Sequence, residues 1–212
     1  HAVSFGLLAM NSILPNLDHY EREALCGISP YAWLSSRILL DLPHTFLGCL
    51  LCASALKDAT PLSTPLSILT LAITSHTFAC IGLALPLACT RQPPRYAHLL
   101  ASLLLLMLGG LFNGVALLPL SSLERTGYAF MLWPSAARWS SELMMIYEVL
   151  SMPPSSLIRI LVSEYLQRHR IAFSVLGGAI SEWPVKLLQL LCRNVSALLV
   201  IGLVGRGVAY VR

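Results

Sequence analysis

The chain has 212 residues, of which 56% are hydrophobic and only 11% charged. A soluble domain carries roughly a quarter charged residues, so lipid is the expected solvent for most of this sequence. Its net charge of +4 is small, and the basic residues are scattered rather than gathered with aromatics into a stripe, so a nucleic-acid surface has no support.

In chain order, the pattern predicts an all-α polytopic membrane protein with about five transmembrane helices, the first truncated. It also predicts one large external loop carrying short helices. The apolar run 1–17 lacks an initiator Met, a basic leader and a small-residue cleavage site. At about 16 residues it is short for a span and reads as the end of a helix whose start lies upstream. Residues 18–36 follow as a polar cytoplasmic connection.

A span is expected over 37–56. It opens on Arg37, Asp41 and Pro43, because Asp suits the positive end of a helix dipole and Pro suits a first turn. Lys57 and Asp58 close it. The next span, 65–89, lies between Pro61 and Pro65 on one side and the Arg91 to Arg95 turn on the other, and Pro86 is placed to kink its last turn. No Asp, Glu, Lys or Arg occurs from Ala59 to Thr90 or from Tyr96 to Leu123. Each stretch exceeds the roughly 20 residues needed to cross hydrocarbon.

The fourth span is expected over 96–118. Residues 119–183 then turn mixed in character and read as an external, re-entrant segment. The last span, 184–209, is interrupted by Lys186 and Arg193. If the spans alternate, Arg22, Arg37, Arg91, Arg95, Arg206 and Arg212 share one side, and Lys57 beside Asp58 marks the other. The arginine side is therefore read as cytoplasmic, in the plasma membrane or an organelle membrane.

Candidate chemistry is sparse. Cys49-x-x-Cys52 has no second pair at ligand spacing and reads as small helix-packing residues. His76 and Cys80 share a helical face, yet two ligands leave a metal site incomplete, so packing or a pore-facing polar role is preferred. Gly110-x-x-x-Gly114 permits close helix approach and also occurs by chance in apolar segments. Asn194-Val195-Ser196 matches a glycosylation sequon but falls inside the last span. Arg193 is either an intramembrane functional charge or a snorkelling side chain. No catalytic set, metal-binding helix or phosphate-cradling loop is present in the sequence, so no catalytic or metal residue is assigned.

Several elements together resemble the C-terminal portion of the membrane domain of white-type, G-subfamily ABC exporters. Asn16 to Glu23, with Glu21-Arg22-Glu23 after a short aromatic-containing turn, is similar to the start of that family's cytoplasmic coupling helix. Arg37-x-x-x-Asp41-x-Pro43 resembles the signature opening the family's third helix. Leu111-Phe112-x-Gly114 before Pro119 resembles the end of its fifth helix and re-entrant turn. Arg138-Trp139-x-x-Glu142 is similar to an Arg-Tyr-x-x-Glu element beyond it.

The resemblance implies ATP-driven export of lipids, sterols or other hydrophobic compounds. It implies a second membrane half, as a homo- or heterodimer, surrounding membrane lipid and a separate nucleotide-binding domain that supplies ATP and Mg. This chain itself would bind no cofactor and catalyse no reaction. The segment between Glu23 and Tyr31 is several residues shorter than the family's coupling helix, and no cysteine lies between Ser121 and Trp183. The alternative is a non-transporting helical membrane protein that acts as an interaction or assembly subunit through Gly110 and Gly114.

Overall fold

A computed structural model of the chain describes residues 2–13, 22–23, 25–89, 94–113, 126–151 and 183–211. Among these residues every regular element is helical. They are α1 (Ala2–Ile13), α2 (Pro30–Ala59), α3 (Leu66–Ala88), α4 (Pro94–Leu106) with a π-helical turn at Met107–Leu111, a 3-10 turn at Ala129–Leu132, α5 (Ala136–Ser151) and α6 (Trp183–Val211).

Helix α2 begins at Pro30, earlier than the expected start at Arg37. The Ser29 hydroxyl accepts a hydrogen bond from the Ala32 amide at 3.2 Å, and Pro30 occupies the first helical position. A side-chain cap followed by Pro satisfies orphan amides that Arg37 cannot, so the helix nucleates there. Asp41 and Pro43 consequently lie well inside the helix rather than in its first turn. Pro43 has no N–H, which leaves the Leu39 carbonyl without its helical donor.

Among the described residues, three helical stretches are long and apolar enough to cross a membrane: Ser35–Ala59, Leu66–Ala88 and Leu191–Val208. The stretch Arg95–Leu111 is apolar but shorter. The fourth expected span thus loses its helix at Leu111, and its residues 114–118 lie outside the described residues. Most of the expected external segment, 152–182, also lies outside them.

Helix α3 is the centre of the bundle, packed against α1, α2, α4, α5 and α6. Its buried face is made of small residues, including Ala72, Ser75, Ala79, Gly82 and Ala84, which let neighbouring backbones come close. The closest approach is to α6. A Cβ on Gly82 would collide with the Gly202 backbone, and one on Gly205 with the Gly82 carbonyl. Met10, Trp33, Leu85, Leu105, Trp139 and Leu198 fill the core around this seam. Helix α2 instead turns Leu39, Leu40, Phe46, Leu47 and Leu51 outward, the pattern of a lipid-facing surface.

Candidate functional site

Two helix ends meet beside α3. The π-turn ends α4, with the Phe112 amide donating to the Met107 carbonyl at 2.9 Å. Ser135, just before α5, places its hydroxyl 3.0 Å from the Leu108 carbonyl and 2.5 Å from the Phe112 carbonyl, and accepts from the Arg138 amide at 3.4 Å. One buried hydroxyl therefore caps the start of α5 and serves orphan carbonyls at the end of α4. In an apolar surrounding those groups would otherwise each be left costly and unpaired. The two adjacent glycines, Gly109 and Gly110, lie within the widened turn.

His76 of α3 faces this junction. The main-chain groups of Ala136 and Gly109 lie close enough to act on its ring. Its buried Nδ1 has no hydrogen-bond partner among the described residues. Its Nε2 lies 3.8 Å from the Cys80 sulfur, so the expected pairing of these two on one face holds. Among the described residues no group of three His, Cys, Asp or Glu is arranged to hold a metal.

From this junction α5 runs back along the first half of α3. The structure here joins two sites that the sequence kept apart. Arg193 of α6 donates from Nη2 to Glu142 of α5 at 2.5 Å, with the Arg193 side chain 48% exposed and Glu142 only 7%. Arg193 Nε also donates to Asn194 Oδ1 at 3.2 Å. Trp139 is the platform below: Arg193 sits 5.8 Å and Arg138 4.6 Å from its ring centroid, while its indole N–H donates to the Trp133 carbonyl at 3.0 Å. Arg193, expected to interrupt the last span, lies close to the start of the apolar stretch Leu191–Val208 within α6.

About 18 Å beyond Ala136, at 1.5 Å per residue, α5 presents Glu148 to the α2–α3 connection. Its carboxylate accepts from the Ser63 amide at 2.8 Å, the Thr64 amide at 3.0 Å and the Thr64 hydroxyl at 2.7 Å. Partial burial pushes the Glu148 carboxyl up, but these three donors outweigh it and hold the group below the ordinary glutamate value.

The remaining sequence-derived residues do not join this site. Arg22 and Glu23 are exposed, and the Glu23 carbonyl closes a turn by accepting from the Cys26 and Ile28 amides around Gly27, whose φ is +89°. Glu21 and Gly114 lie outside the described residues. Arg37 stacks 5.8 Å from the Trp33 ring. Cys49 is buried with its sulfur 3.5 Å from the Thr77 hydroxyl, as a packing role requires. Gly110 makes no close packing among the described residues, since a Cβ there would meet nothing of theirs within 4 Å; Phe112 contributes its carbonyl to Ser135. Asn194 is fully buried, which removes it as a glycan acceptor.

No family model, curated protein or solved structure matches this chain. The site therefore stands on its geometry. Sequence reasoning missed Ser135, Glu148 and the Gly82–Gly202–Gly205 seam. Pro134-Ser135 before the periodic run 136–149 is a usable helix-start signal. Nothing local marks Glu148, whose partners are more than eighty residues away. The arrangement can hold a helix broken, pin the returning half by one ion pair and one carboxylate cap, and keep that junction closely packed.

Proposed function

We propose that this chain is the membrane domain of an ATP-driven exporter of lipids, sterols or other hydrophobic compounds. ATP hydrolysis would come from a nucleotide-binding domain, with a second membrane half completing the substrate path. The observation that carries the proposal is the broken helix: α4 stops at Leu111, and α5 starts beside the same residue of α3, with Ser135 serving both ends. Non-helical backbone within an apolar layer is tolerated where protein buries it or where it lines a cavity, which is how transporters build movable gates.

On this reading the five-span topology holds. Arg22 and Glu23 face the cytoplasm, where an ATPase would push on them. The segment 119–183 re-enters and then lies outside, with the Arg193–Glu142 pair near the outer surface. The test is ATP-dependent movement of a labelled lipid by the full-length protein in proteoliposomes. Alanine at both Glu21 and Arg22 is expected to lower transport and substrate-stimulated ATPase together at unchanged expression. Full transport by that double variant would separate the resemblance from the mechanism.

A second reading, an assembly subunit, is favoured by one observation. Gly110 meets no described residue within 4 Å and lies on an exposed face with Leu103, Leu106, Met107 and Leu111. If that face is a helix contact between copies, Gly110→Leu weakens dimer crosslinking without affecting insertion. Unchanged crosslinking would return Gly110 to the lipid.

A further inference from the structure

A cavity of about 410 Å³ lies between α1, α2, α3 and the end of α6, away from the broken helix. It is within the size range of small-molecule sites. Its walls are largely apolar, with Leu8, Ile38, Phe46, Phe78 and Ile81 prominent. The polar groups on its lining are unequal. The Arg206 guanidinium is stacked 3.6 Å from the Phe78 ring centroid, and its Nη1 donates to the Phe78 carbonyl at 3.1 Å and the Gly202 carbonyl at 3.0 Å. That side chain is engaged with α3 and α6.

Asp41 is different. Its half-buried carboxylate lines the cavity and has no hydrogen bond or ion pair among the described residues. The cavity therefore presents the Asp41 carboxylate in largely apolar walls.

We infer that this cavity binds a lipophilic primary amine, with the ammonium group on Asp41 and the hydrocarbon chain among Leu8, Ile38, Phe78 and Ile81. An ammonium group brings a positive charge and N–H donors to the Asp41 carboxylate. A neutral chain would leave the Asp41 charge desolvated without compensation, and an anionic amphiphile would add a like charge beside it. The inference concerns occupancy and does not depend on the chain being a transporter.

The test is equilibrium binding to the full chain in phosphatidylcholine nanodiscs without nucleotide, with empty nanodiscs as the blank. The probes are radiolabelled dodecylamine and dodecanol, which share a tail and differ in the head. Saturable dodecylamine binding is expected, at least about tenfold tighter than dodecanol, or about 1.4 kcal/mol. Asp41→Asn should bring the amine to the alcohol's affinity without changing the alcohol, and Asp41→Glu should keep the preference. Equal binding of amine and alcohol would overturn the inference in favour of a neutral-lipid pocket. So would the absence of saturable binding, or loss of the preference in Asp41→Glu.

Discussion

Arg193 and Glu142 are unequal partners, and the inequality has a measurable consequence. Glu142 is buried, whereas about half of the Arg193 side chain is exposed. Removing the arginine strands a buried carboxylate; removing the carboxylate leaves an arginine that can snorkel outward. Arg193→Met is therefore expected to destabilise the protein by about 3 kcal/mol. Glu142→Gln should cost about 1 kcal/mol, because its amide retains an acceptor. Denaturant melts in detergent, completed by the double variant, would read this order; equal losses would mean that the pair is solvated at both ends.

Glu148 gives a pH dependence of known sign. Its folded value lies below the ordinary 4.5, so its stabilisation is complete above 4.5 and fades as pH falls through the folded value. The side chain is only partly buried, so the contribution at neutral pH is about 1 kcal/mol after screening. Thermal midpoints of wild type and Glu148→Gln should differ at neutral pH and converge in acid. A gap that widens in acid would contradict the cap on Ser63 and Thr64.

Among the elements, the α3–α6 seam tolerates substitution least. Gly82 and Gly202 touch backbone to backbone, so Gly82→Leu cannot be absorbed by rotating a side chain. It should cost about 3 kcal/mol or more and expose α6 to limited proteolysis. Gly110→Ala, which points into open space, should gain slightly from helix propensity. If both variants behaved alike, the seam would not be the contact that holds α6 in place. The start of α2 shows how local rules compete: Arg37 and Asp41 suit a helix start, but Ser29-Pro30 suits it better and lies upstream, so the helix extends through Pro43.

For the whole molecule, the topological reading predicts cytoplasmic signals from reporters fused after Thr90 and after Arg212, and an external signal near Ser151. An external signal after Thr90 would break both the charge argument and the exporter reading. The sequence by itself determined the apolar helices: α3 lies in a stretch without charge, and α2 and α6 carry few charges within long apolar windows, so all three were legible from composition. It also supplied the polar residues around the ion pair, Arg138, Trp139, Glu142 and Arg193, as two unrelated groups. Only the tertiary structure decided that Arg193 answers Glu142 fifty-one residues away, that Gly82 rather than Gly110 is the point of closest helix approach, and that Asp41 faces a cavity. Hydropathy and capping act within a few turns of chain, whereas a partner for a buried charge or a slot for a glycine is chosen by how whole helices come to rest against one another.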